Sequence, residues 1–169
     1  NSGEVLAWSM YDFANQPFTN LVLTFIYGTF FTTVIASNEI VGTQQWSHAI
    51  SITAIVVALL SPFMGALADK GGYRKMFMFF FTWLTIIATT VLYFVLPGQV
   101  IEALFWFVLA NIGFEMGSVF CNAYLPDISH SKNIGRISGY GWSLGYVGGL
   151  LSLALAMFFL VQTDTPVFG

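Results

Sequence analysis

Three groups of polar residues could do chemistry in this chain. Asp69, Lys70, Arg74 and Lys75 fall within seven residues, bounded by long apolar runs. Opposite charges this close can pair, and an ion pair made in one state and broken in another is a switch. The second group is Asn111, Glu115, Ser118 and Asn122, set in an otherwise uncharged run. At helical spacing these four fall within an arc of about 60°. A carboxyl there can carry a proton; equally, it can stay protonated and clamp two helices by hydrogen bonds. The third group is Asp12 and Asn15. Asp is a good helix N-cap, and Asn15 beside Gln16-Pro17 eases a kink.

The elements that position these residues follow from composition. The 169 residues are 57% hydrophobic and only 8% charged, with a mean hydropathy of +0.78. Soluble domains carry about 25% charged residues, so the solvent for this surface is lipid. A membrane helix needs about 20 apolar residues. Five runs qualify, near 16–36, 48–68, 76–96, 103–125 and 137–161. The reading is an all-α integral membrane protein. The net charge of -3 says little, because its distribution matters more than its sum, and no basic tract suggests a nucleic-acid partner. The lone Cys121 sits in an apolar run and reads as a packing residue. The chain opens on Asn with no basic n-region, so it reads as a piece of something longer, without a signal peptide.

Connections separate the runs. Ser37 to Ser47 is polar, Pro97-Gly98 is a turn signal, and Pro126 closes the fourth run. Pro17 suits a first helical turn or kinks a longer helix. Trp8 and Tyr11 suit a membrane interface. All five basic residues lie in two loops, Lys70, Arg74 and Lys75, then Lys132 and Arg136. Two spans separate these loops, so they share a side, and the positive-inside rule makes that side cytoplasmic. By parity the N-terminus is cytoplasmic and residues 162–169 are outside. Spans two and four each end in an acidic residue, Asp69 and Asp127, followed by Gly and Arg. Three-helix repeats are common in transporter halves.

Near mid-span an acidic residue costs about 2.5–3.5 kcal/mol on insertion scales. Glu115 is therefore protonated, faces a cavity, or pairs with residues outside this stretch. Gly141, Gly145, Gly148 and Ser152 share one face of span five, where small residues let backbones approach. His48 and His130 fall at opposite membrane faces and cannot share a metal. No Cys cluster or nucleotide-binding motif is present, so no metal or cofactor is expected.

The stretch Gly65-Ala66-Leu67-Ala68-Asp69-Lys70-Gly71-Gly72-Tyr73-Arg74-Lys75 resembles the signature loop of the major facilitator superfamily, which joins its second and third helices. Three further stretches resemble its vacuole-effluxer family: Trp8 to Asn15, Asn122 to Ile128, and Gly135 to Tyr146. The resemblance covers essentially the whole chain. It implies a twelve-helix fold of two halves, of which this chain supplies five helices of the first, the remaining half being its partner. It implies a gating motif made of Gly65, Asp69, Lys70, Gly72, Arg74, Lys75, Asp127 and Arg136. It also gives Asp12 and Asn15 a substrate or gating role, while the polar stripe itself makes Asn111, Glu115 and Asn122 a candidate substrate or proton pathway. One departure is clear: the family Arg four residues after the Asp is Tyr73 here, and the basic pair follows it.

The function implied is a secondary transporter working by alternating access, exporting amino acids or similar small solutes, with a proton as the coupled ion. Its membrane would be the inner membrane in a bacterium or the vacuolar membrane in a eukaryote. The alternative is a channel or a non-transporting receptor or scaffold of the same fold. An intramembrane protease would need a nucleophile facing a base, and neither His is expected inside a span.

Overall fold

The computed structural model describes residues 2–161. Among these the chain is mostly helix, joined by short turns, without strands. It is an all-α membrane protein with five helices long and apolar enough to cross a bilayer: Gly3–Ile35, Glu39–Gly71, Arg74–Leu92, Val100–Ile128 and Ile134–Phe159. Two compact units are distinguished, Asn1–Tyr27 with Tyr124–Gly169, and Gly28–Ala123.

The first helix is built in pieces. α1 (Ser2–Pro17) passes into a π-helical stretch, Phe18–Phe25; then come α2 (Tyr27–Phe30) and a second π stretch, Phe31–Ile35. Helix thus begins about fourteen residues before the expected span, since 16–36 is only its distal part. Asp12 and Asn15 are interior helical residues, so Asp12 is not an N-cap. Pro17 ends α1 with φ -51 and ψ -37; without an N–H it cannot continue the regular ladder, and the wider winding begins right after it.

α3 (Glu39–Gly71) is also longer than the apolar run inside it. The expected polar connection 37–47 is mostly helix, and only a few residues turn. Asn38 caps the start, its Oδ1 accepting from the Val41 N–H at 2.9 Å. Gly42 permits the sharp reversal: a Cβ there would stand 2.9 Å from Thr32 Cα and 2.7 Å from Ala36 Cβ. Pro62 sits inside α3 and leaves the Ala58 carbonyl without its helical donor. The helix continues regardless, as membrane helices commonly do.

α4 (Arg74–Leu92) and α5 (Val100–Asn122) complete the second unit with α3. α4 stops at Leu92, short of the expected 96, and the Pro97-Gly98 turn follows, with Gly98 at φ 89. Aromatic rings fill the interior. Trp46 stacks on Phe107 with centroids 3.8 Å apart, and Phe77 and Phe81 lie 5.5 and 5.9 Å from Phe120. Gly113 lets α5 approach α4, since a Cβ there would meet the Phe81 carbonyl oxygen at 2.8 Å. Thr82, Thr85 and Thr90 each donate to the carbonyl four residues back, which is how hydroxyls sit in an apolar helix without free polarity. Cys121, the lone cysteine of the chain, is buried.

The first unit pairs α1 with α7 (Ile134–Ala156). Trp8, expected at an interface, is buried. Its ring lies against Gly141, which has no side chain to hold it off. A short α6 (Leu125–Ile128) precedes α7. α5 therefore ends at Asn122, before Pro126, and Asp127 belongs to a separate turn. The parallel between Asp69 and Asp127 as helix-ending acids does not extend to their placement: Asp69 is in the last turns of α3 itself. Gln162 to Gly169 lie outside the described residues.

Candidate functional site

The charged loop is organised by Gly72. It adopts the left-handed conformation, φ 67 and ψ 20, which costs glycine nothing and other residues about 1 kcal/mol or more. The N–H groups of Gly72 and Tyr73 both return to the Ala68 carbonyl. The chain reverses there, and α4 starts at Arg74.

That reversal brings Arg74 back over Asp69. Nε donates to Asp69 Oδ1 at 2.7 Å, and Nη1 donates to the Ala123 carbonyl at 3.3 Å. Ala123 is the C-cap of α5, where unsatisfied carbonyls carry the negative end of the helix dipole. One guanidinium thus ties the end of α3, the start of α4 and the end of α5. The Arg is five residues after the Asp, so the shift caused by Tyr73 does not prevent the pair. The Asp69 side chain is 60% exposed and that of Arg74 28%. Exposed pairs contribute about 0–1 kcal/mol, so this link is cheap to break.

Among the other motif residues, Lys70 and Lys75 are exposed, Gly65 has open space around it, and Gly71 faces the Tyr73 ring. Asp127 and Arg136 belong to the first unit and are exposed, in α6 and in the first turn of α7.

The polar stripe of α5 grades from inside to outside. Asn111 is 3% exposed, Glu115 and Ser118 are half-buried, and Asn122 is exposed. Asn111 Oδ1 is buried without a hydrogen-bond partner. By helical phase this stripe lies on the far side of α5 from Ala110, Gly113 and Phe120, which meet α4.

In the first unit Asp12 lies against α7, its Oδ2 only 2.6 Å from where a Gly145 Cβ would stand. Gln16 and Asn20 continue the same face: Asn20 Nδ2 is 2.5 Å from the corresponding point at Gly149. Asn15 is half-buried. Gln16 and Asn20 were not singled out from sequence. Their signal is the four-residue spacing from Asp12, matched by Gly145 and Gly149. Ser152 turns back to the Gly149 carbonyl at 2.8 Å. His48, expected at the membrane face, lies within α3, while His130 follows α6. No group of His, Cys, Asp or Glu among the described residues could hold a metal.

With five apolar helices and a basic reversal between the second and third, comparison with known proteins gives the class. Residues 42–135 match the family described as "Vacuole effluxer Atg22 like", and the chain belongs to that family. It is 28% identical over 164 residues to an uncharacterized MFS-type transporter, YxiO, of Bacillus subtilis (strain 168), covering 94% of this chain and 38% of that protein. An uncharacterized protein of Aquifex aeolicus (strain VF5) is 34% identical over 148 residues, 88% of this chain and 36% of its own length. Autophagy-related protein 22 of Coccidioides immitis (strain RS) is 32% identical over 79 residues, covering 47% of this chain and 13% of that one. The chain thus spans less than two fifths of the length of each of these relatives. No solved structure matches it significantly.

Proposed function

We infer that this chain is the first part of a secondary transporter of the major facilitator type, which moves a small solute across its membrane by alternating access. The observation that carries this reading is the Arg74 link between Asp69 and the Ala123 carbonyl, in a chain of the effluxer family. A link worth about 1 kcal/mol can hold one conformation and yield in the other. Lys70, Lys75, Asp127 and Arg136 would share the charged cytoplasmic face with it, the N-terminus being on that side. The family's description favours efflux, and the proposed solute class, amino acids or similar small solutes, rests on the motif resemblance alone.

The pathway would use the polar faces inside the spans. Asn111 brings an unsatisfied buried acceptor and Glu115 a half-buried carboxyl on the same stripe. Asp12 and Asn15 would act from the first helix. Proton coupling would pass through Glu115, which stands within the long uncharged stretch of α5. The rest of the polypeptide would supply the opposite wall. Counterflow of labelled amino acids in proteoliposomes tests this: a carrier exchanges solute saturably, whereas a channel or scaffold does not.

A further inference from the structure

Asn111 stands midway along α5 and is 3% exposed. Its Oδ1 is closed to solvent and has no hydrogen-bond partner. A buried acceptor left unmade is costly, and one closed to water can be met only by a donor of its own surroundings. Backbone N–H groups in mid-helix are spent on the carbonyls four residues back. Hydroxyls inside the second unit are spent as well. Thr53 donates to the Ala49 carbonyl at 3.1 Å, Ser61 to the Val57 carbonyl at 2.6 Å and Thr85 to the Phe81 carbonyl at 3.0 Å. Thr89 Oγ1 is buried without a partner, but it belongs to α4, which meets the side of α5 away from the Asn111 stripe.

Glu115 is one turn further along that stripe and half-buried. Helical residues four apart have Cβ atoms about 5–6 Å from each other, and helical side chains lean toward the N-terminus. The long Glu115 side chain therefore leans back over Asn111 and away from Ser118. An ionised carboxylate only accepts hydrogen bonds, whereas a protonated one carries an O–H donor. The unmet acceptor at Asn111 suits one of these two forms and repels the other. No other charge competes at this level. α3 has no charged or titratable residue between His48 and Asp69, α4 none between Lys75 and Tyr93, and α5 none between Glu102 and Glu115. Cys121 lies about 120° round α5 from Glu115.

We propose that Asn111 is the positioning residue of Glu115: when the carboxyl holds a proton, its O–H donates to Asn111 Oδ1. The proton comes from water, forms one O–H bond on the carboxylate and returns to water, leaving the bonding pair on the oxygen. Neutral Glu115 is thereby held along α5, and ionised Glu115 is released from it. Proton occupancy becomes a side-chain position, which is what a coupled carrier needs to read. This deepens the reading of Glu115 as the proton carrier and rests on it.

Infrared difference spectroscopy of the full-length protein in proteoliposomes tests the two separately. The C=O stretch of protonated Glu115 is assigned by its loss in Glu115→Gln. An O–H that donates lowers this stretch, so Asn111→Leu should raise its frequency, and Asn111→Gln, which keeps an acceptor, should raise it less. A frequency unmoved by Asn111→Leu overturns the bond. Fading of the band with rising pH tests the proton carrier: a band constant at every pH sinks the carrier and leaves the bond to be decided by its frequency, and a wild type without the band at any pH overturns both. The pH profile of substrate exchange is the second readout. Asn111→Leu should move it to lower pH by about 0.5–1 unit, the size of one hydrogen bond, and should not move that of Glu115→Gln. An equal shift in the Glu115→Gln background would mean that Asn111 acts without Glu115, and the pairing would be wrong.

Discussion

Asp69 and Arg74 are joined Oδ1 to Nε at 2.7 Å across the reversal between α3 and α4. The same guanidinium reaches the Ala123 carbonyl, so one side chain ties three helix ends. Asp69→Asn keeps the shape and one hydrogen bond but removes the charge. It should lower transport by the full-length protein several-fold with the surface amount unchanged. Its effect on thermal stability should stay within about 1 kcal/mol, because the pair is exposed. Exchanging the charges, Asp69→Arg with Arg74→Asp, should restore part of the flux if pairing is what matters. Wild-type flux in Asp69→Asn would reduce the residue to a helix-end charge.

The packing of α1 on α7 makes a prediction about glycines. A Cβ at Gly148 would collide with the backbone carbonyl of Phe13 and press on its ring. Gly148→Ala should therefore destabilise the protein by about 1–3 kcal/mol, despite gaining about 1 kcal/mol of helix propensity. Gly139→Ala, with nothing within 4 Å, gains only the propensity and should be neutral or slightly stabilising. Thermal unfolding of the two variants in detergent reads the difference, and equal midpoints would refute this packing.

Topology is testable by labelling. Gly71 is a poor position for a cysteine because the Tyr73 ring occupies the space a side chain would take. Lys70 and Ser131 are exposed. Cysteines there should react with impermeant thiol reagents only from the cytoplasmic side, and Cys121 is buried enough to stay silent. Labelling of either from outside in intact cells would reverse the orientation.

Glu115 separates coupling from clamping. Glu115→Gln keeps shape and hydrogen bonding but cannot exchange a proton. If the residue carries the coupled proton, the variant should still exchange substrate yet lose accumulation driven by a pH gradient. Normal accumulation would leave it a structural clamp on the α5 stripe.

Much of this was legible in the sequence. Five apolar runs separated by charge, turn and proline signals mark five membrane helices, because in lipid the backbone must satisfy itself within each segment. Helix ends were less legible. α1 begins near Ser2 and α3 at Glu39, outside the apolar runs, since a helix may extend beyond the hydrocarbon without needing apolar residues. Pro17 announced a disturbance but not its form, a π-helical stretch. Asp69 and the basic pair after it were visible as a candidate switch. The Ala123 carbonyl was not, because a backbone acceptor 49 residues from Arg74 leaves no trace in side-chain type. Gln16 and Asn20 were hidden for a related reason: their importance lies in the glycines they press against, on a helix more than 120 residues away.

A carrier exchanges solute across its membrane, and counterflow reads that exchange. Full-length protein in proteoliposomes loaded with unlabelled amino acids should take up labelled solute transiently and saturably, with trans-acceleration for at least one solute, and Asp69→Asn should blunt it at equal protein content. Flux that rises linearly with concentration and ignores solute on the far side would contradict the account, as would its absence across the amino-acid panel.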